Sequence, residues 1–218
     1  MTTWWNNNIN NKDDNRADDF LSWIKGFNEE DRIYCRKYIV EHEYKSMLDV
    51  GCGLCVEYYG FKNDGYHIEY TGLDSCKHFI ETNSKDGINI IEAEIEEKFP
   101  IDDNIYDCVY ARDILEHLSH YRKTVNELIR VAKEEVIINW FIKPGYDPTH
   151  INYWEDEDLY HNKYNYNNLE KFVLSNPKVE KIFWRDINFS KTVLHIILKQ
   201  EVQEEEEQEE QEQDEQEG

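Results

Sequence analysis

A chain of 218 residues is long enough for one domain with a substantial core, and 47 acidic against 24 basic residues give it a formal charge of −23. That balance disfavours non-specific binding to a nucleic-acid backbone, which requires a basic footprint. The sequence has no run of 18 apolar residues and no charged-then-apolar leader, and its five cysteines lack framework spacing, so a cytoplasmic protein in a reducing compartment, without a membrane span, is expected.

Polarity concentrates at the two ends. Residues 1–17, opening T-T-W-W-N-N-N-I-N-N-K, read as an Asn-rich disordered terminus. Residues 201–218 carry ten Glu, one Asp and no base, a composition that cannot bury enough surface to fold. Residues 18–200 read as one domain without internal repeats. Within 18–43, Phe20, Ile24 and Phe27, then Ile33, Tyr34, Tyr38 and Ile39, recur at helical spacing and predict two short helices. Short apolar runs of buried-strand type follow at Met47–Val50, Tyr70–Asp74, Ile88–Ile91, Tyr106–Tyr110 and Val136–Ile142. Helical patterns lie between them at Cys55–Phe61, Ser75–Asn83 and Ile114–Val131, and alternation of this kind predicts βαβ units around a parallel sheet. A helix at Leu169–Leu174 ends before Asn176-Pro177, and the alternating runs Val179–Ile187 and Thr192–Leu198 predict an antiparallel hairpin. The expected fold is Rossmann-like α/β: a seven-stranded, mostly parallel sheet with helices on both faces and a C-terminal antiparallel hairpin.

The stretch S-M-L-D-V-G-C-G-L-C, residues 46 to 55, admits two chemistries. Cys52 and Cys55 have the C-x-x-C spacing of a redox dithiol or half a zinc site. Zinc needs four ligands, however, and Cys35, Cys76 and Cys108 are isolated, with no second C-x-x-C. The other reading is a glycine turn, D-x-G-x-G, leaving the first strand toward a nucleotide-like ligand. Asp74 ends the next strand, where a carboxylate accepts ribose hydroxyls. Only two glycines are present, and Asp49 would repel a pyrophosphate, so the turn suits a cationic ligand such as a sulfonium with an amino group.

With these residues the sequence resembles the class I S-adenosylmethionine-dependent methyltransferases, from about Met47 to Lys199. Leu48–Gly53 is similar to their first motif and Thr71–Asp74 to their ribose-binding motif. Glu94-Ile95 falls at their adenine-side pair. Phe99–Val109 followed by Ile114–Leu118 resembles the run into the fourth strand and beyond, and His150–Trp154 a segment after the fifth. Cys55 stands where a third glycine is common, and Glu94 where Asp is commoner. The resemblance implies that S-adenosylmethionine is the cofactor. It places Gly51, Cys52 and Gly53 near the methionine part, Asp49 near its amino group, Asp74 with Ser75 at the ribose, and Glu94 with Ile95 on the adenine. Arg112, ending the fourth strand, joins this cofactor-binding set.

An oxygen acceptor also needs its proton removed, by a side chain or through a metal. Asp113, Glu116 and His117, after the fourth strand, and His150, after the fifth, are the candidates. Helical spacing would put Asp113 on one face with Glu116 and His117. With His150 they would offer two carboxylates and two imidazoles to Mg²⁺ or a softer divalent ion. That resembles metal-dependent O-methyltransferases acting on small-RNA terminal ribose and on ubiquinone precursors. The same residues also fit a metal-free histidine base, His117 or His150, or purely structural roles. Tyr146, Tyr153, Trp154, Tyr160, Tyr164 and Tyr166 concentrate aromatic faces where the family keeps acceptor-binding elements, and equally suit packing over the sheet. A small-molecule or sugar hydroxyl is the expected acceptor, with an RNA terminal ribose as the alternative. A non-catalytic cofactor-binding module, using the acidic tail as its contact, is the reading from another class. Oligomeric state leaves no mark in the sequence.

Overall fold

The computed structural model describes Gly26, residues 28–155 and residues 159–200. The expected Asn-rich terminus, the first N-terminal helix and the acidic tail lie outside the described residues. The elements in chain order are α1 (Glu30–Glu41), β1 (Ser46–Val50), α2 (Val56–Asn63), β2 (Glu69–Asp74), α3 (Lys77–Lys85), β3 (Asn89–Glu92) and β4 (Tyr106–Arg112). A single 3-10 turn (Leu115–His117) precedes α4 (Tyr121–Val131) and β5 (Ala132–Trp140). Then come β6 (Tyr153–Trp154), β7 (Leu159–Tyr160), α5 (Tyr166–Leu174), β8 (Val179–Asp186) and β9 (Thr192–Leu198).

Seven strands form one sheet in the order β3-β2-β1-β4-β5-β9-β8. Its pairs are parallel from β3 to β5, while β9 runs antiparallel to both β5 and β8. The strand order reverses between β1 and β4, so their carboxyl ends open the crevice where ligands of such sheets bind. Alternate strand residues feed two cores, one on each face. Leu48, Val50 and Val109 pack with Val125 and Leu128 of α4 and Leu169 of α5. Met47, Cys108 and Ile137 pack on the other face with Cys35 and Ile39 of α1 and Phe61 of α2. Burial of these side chains removes the apolar surface that holds the helices to the sheet, at about 25 cal/mol per Å².

Three local departures from the sequence expectation shape the site. The helical pattern Ile114–Val131 is broken: after the 3-10 turn Leu118 is extended, with φ −90° and ψ 148°. Tertiary partners take the carbonyls that a continuous helix would use. Tyr164 Oη donates to Leu115 O at 2.8 Å, Asn162 N to Glu116 O at 2.9 Å, and Asn162 Nδ2 to Leu118 O at 2.7 Å. Strand β5 ends at Trp140 instead of Ile142, because Phe141 N and Ile142 N donate to Glu116 Oε1 at 2.8 and 3.1 Å. The small antiparallel pair β6–β7 was not foreseen, since two-residue strands leave no period to read.

Candidate active site

The turn after β1 begins with Gly51 N and Cys52 N donating to Leu73 O, at 2.8 and 3.2 Å. Gly51 has φ +71°, and a Cβ there would stand 2.3 Å from Ile114 Cδ1 and 3.7 Å from Ile95 Cδ1. Only glycine fits this close approach and positive φ, and the contact brings the segments after β3 and β4 onto the turn. Cys55 is also left-handed, with φ 52° and ψ 42°, a conformation that glycine adopts at less cost. All five cysteines are free and buried, and Cys52–Cys55 forms no disulfide.

Asp74 closes the turn from the neighbouring strand. Its Oδ2 accepts from Gly53 N at 2.9 Å and its Oδ1 from Cys76 N at 2.8 Å, with Ser75 N adding a third bond. Burial pushes its carboxyl above the usual range, and these backbone donors work against that rise. Glycine turn and acidic strand end are therefore one preorganised unit. Asn83 of α3 fastens it further by donating to Gly53 O at 2.7 Å. Asp49 lies deeper: it is buried, accepts from Tyr70 Oη at 2.6 Å, and is pushed up to about 7 by burial and by the charge of Glu57. Past β3, Ile95 is buried against the turn while Glu94 is exposed. A turn without side-chain bulk, a fixed carboxylate and an apolar wall fit a nucleoside-bearing cofactor.

Arg112 has other partners. Its guanidinium meets Asp31 at 2.8 Å, Asp113 at 2.7 Å and Glu29, and Lys191 reaches Asp31 at 3.2 Å. Burial would raise the Asp31 carboxyl, but Arg112 and Lys191 outweigh it and hold it at about 2. On the same helix Arg32 and Arg36 grip buried Glu57 of α2. This network ties the start of α1 to the carboxyl ends of β4 and β5, where Asn139 Nδ2 donates to Asp31 at 2.6 Å. Breaking a buried pair of this kind costs about 3–5 kcal/mol, because the surviving charge is left uncompensated.

The metal expectation fails on geometry. Asp113 has φ 56° and lies outside any helix, so it does not share a helical face with Glu116 and His117. Its Oδ2 is engaged with Arg112, and Glu116 Oε1 is engaged with Phe141 N and Ile142 N. Glu116 is fully buried and pushed up to about 8 by burial and by the charge of Asp113, so near neutrality it holds a proton. His150 is exposed and pairs by its backbone with Lys163. Among the described residues no three His, Cys, Asp or Glu side chains are grouped to hold a metal ion.

His117 is differently placed. Its Nδ1 lies 2.7 Å from Tyr160 O, and a carbonyl only accepts, so Nδ1 carries the hydrogen and Nε2 keeps a lone pair. Burial pushes the ring down to about 4 against the opposing effect of this hydrogen bond, so it is neutral across the physiological range. Phe141 lies 5.2 Å away and His161 stands edge-on at 5.1 Å, with Trp154 stacked on His161 at 4.0 Å. Phe141, His161 and Asn162 were absent from the sequence-level candidates. The first two are ordinary residues in loop positions, and Asn162 becomes visible only as the buried hub joining β7 to the turn after β4.

The chain shares this architecture with solved structures. Magnesium protoporphyrin IX methyltransferase from Synechocystis, solved with bound SAH, is similar at 11% identity and a TM-score of 0.61, over 91% of this chain and 100% of that chain. A Pyrococcus horikoshii protein gives 14% and 0.58, over 88% and 94%. A SAM-dependent methyltransferase from Aquifex aeolicus gives 20% and 0.50, over 71% and 82%. At such identities the likeness establishes the fold, the Rossmann-like sheet of class I methyltransferases. No curated protein matches the sequence. Residues 48–138, from β1 into β5, match the family model described as a methyltransferase domain. That segment is thus similar to a methyltransferase domain, on the fold of the class I enzymes.

Proposed function

We propose that the chain methylates a hydroxyl oxygen of a small molecule or sugar, with His117 Nε2 receiving the proton. The observation that carries this reading is the 2.7 Å bond from His117 Nδ1 to Tyr160 O, which leaves Nε2 as the ring's proton acceptor. When bound, S-adenosylmethionine supplies an electrophilic methyl carbon and departs as a neutral thioether. Asp74 with Ser75, the Gly51–Gly53 turn and Ile95 with Glu94 would hold it, and Ile114 packs against that turn. The residues that act on the acceptor are then His117, for the proton, and the ring faces of Phe141 and His161, for orientation. No step is assigned to a metal, because Asp113 and Glu116 are committed to Arg112 and to backbone N–H groups. A formal charge of −23 favours these acceptors over an RNA terminal ribose with its flanking phosphates. Five free, buried thiols fit work in a reducing compartment, and no described helix is long and apolar enough to cross a membrane.

The test is methyl transfer with labelled cofactor over sugars, nucleotide-sugars, phenols and short RNA, in the full chain and in His117→Gln. Losing a positioned general base is expected to lower kcat by about 10²–10⁴-fold, with the affinity for S-adenosylhomocysteine unchanged. His150→Ala is expected to turn over normally. Wild-type rates in His117→Gln would remove the base assignment. Bound cofactor with no product from any acceptor would favour the binding-module reading.

A further inference from the structure

We infer that Cys52 and Cys55 join in a reversible disulfide under oxidising conditions, and that this bond weakens S-adenosylmethionine binding by deforming the turn between β1 and α2. This rests on the methyltransferase reading and adds regulation to the same turn. The C-x-x-C spacing of these residues has no part in methyl transfer itself.

The turn brings the two cysteines together. Gly51, Gly53 and Cys55 are all left-handed, with φ of +71°, +52° and +52°, and Cys55 N donates to Cys52 O at 2.8 Å. A bond from the fourth residue back to the first holds their Cα atoms within about 7 Å, and a disulfide spans Cα atoms about 4.4–6.8 Å apart. The two thiols are already hydrogen-bonded to each other.

Between them lies the residue that fastens the turn. Gly53 N donates to Asp74 Oδ2 at 2.9 Å, and Gly53 O accepts from Asn83 Nδ2 at 2.7 Å. Cys52 Sγ packs on β2 so closely that a Cβ on Gly72 would stand 2.7 Å from it. Hydrogen-bonded thiols become an S–S bond of about 2.0 Å only by drawing together. Cys55 is fully buried and fixed as the residue that opens α2, so Cys52 makes the movement. Its sulfur leaves Gly72, and the strain falls on Gly53 and its two clamps.

The chemistry is thiol–disulfide exchange with a small disulfide such as oxidised glutathione. One cysteine thiolate attacks the oxidant and expels a glutathione thiolate; the other attacks the mixed disulfide and expels the second. Two protein thiols are oxidised, and the two glutathione thiolates take up their protons. The hydrogen bond to Cys55 and burial push the Cys52 thiol well above its usual range, so exchange is slow and follows opening of the turn. By linkage, a ligand that prefers the reduced turn opposes oxidation by the same factor.

The experiment equilibrates the full chain in glutathione buffers from reducing to oxidising, with and without S-adenosylhomocysteine. Peptide mapping is expected to place one disulfide between Cys52 and Cys55, with the loss of two hydrogens in mass. Calorimetry is expected to show S-adenosylhomocysteine bound at least about tenfold more weakly by the oxidised chain, with circular dichroism confirming that both forms are folded. For a tenfold change, saturating ligand should raise the midpoint potential of the pair by about 30 mV. Cys55→Ser should bind the ligand with one affinity in every buffer. Free thiols in the most oxidising buffer, glutathione adducts in place of the internal bond, or equal affinity of the two forms would each overturn the inference. Failure of S-adenosylhomocysteine to bind either form would instead remove the methyltransferase reading, which the mapping of the disulfide does not depend on.

Discussion

At the scale of single residues, the glycine turn after β1 is built from backbone conformations that are costly for residues with a side chain. Gly51 joins a positive φ to a close approach in which a Cβ would displace the Ile114 side chain, whereas Cys55 is a left-handed position that does carry a side chain. The αL conformation costs an L-residue roughly 1–2 kcal/mol. Cys55→Gly is therefore expected to be more stable than Cys55→Ala by about 1 kcal/mol in denaturant unfolding, reversing the usual order. Greater stability of the Ala variant would show that packing, not φ, governs the site. The D-x-G-x-G residues and Asp74 were legible in the sequence because each satisfies a local requirement: a positive φ, a close approach, or a strand-end carboxylate. Arg112 was assigned to cofactor from its position alone. In the structure its guanidinium meets the adjacent Asp113 and also Asp31 and Glu29, which lie far from it in the sequence.

At the scale of elements, the segment after β4 shows tertiary bonds overriding a helical pattern. Its apolar spacing predicts a helix from Ile114, but Tyr164 and Asn162 claim the carbonyls of Leu115, Glu116 and Leu118, and the helix begins only at Tyr121. Glu116 sits in that break and has a pH signature. Its folded carboxyl is raised from 4.5 to about 8, so the unfolded chain gives up the proton first. The stability of the buried neutral form is complete below 4.5 and is lost as pH rises toward 8. Glu116→Gln keeps an oxygen for Phe141 N and Ile142 N and has no proton to lose. The variant should therefore gain in Tm over the wild type between about pH 5 and pH 8, as thermal melts across that range would show. His117 contributes with the opposite sign between 6.5 and about 4, equally in both proteins. A Tm difference independent of pH would mean that Glu116 is ionised in the fold. The β6–β7 pair was beyond sequence reasoning for a related cause: its role rests on contacts of Asn162 and Tyr160 with a distant turn, not on a pattern within its own few residues.

At the scale of the whole molecule, the fold was legible almost entirely, because alternating buried strands and amphipathic helices admit few arrangements once a glycine turn marks the first crossover. The order β3-β2-β1-β4-β5-β9-β8 brings the ends of β1, β2 and β4 together without any one of them encoding it. The ion network of α1 then closes the same edge from outside, linking Asp31 to Arg112, Asn139 and Lys191. The surroundings of His117 were less legible, since its ring contacts and its hydrogen bond to Tyr160 O arise only in the assembled molecule. The central claim is that this edge is a cofactor site organised by Asp74. It is tested most directly by calorimetric binding of S-adenosylhomocysteine to the full chain and to Asp74→Ala, with circular dichroism confirming that both are folded. The expected result is one ligand per chain, bound at least about tenfold more weakly by the variant. No binding by the folded wild type, or equal affinity in the two proteins, would contradict it.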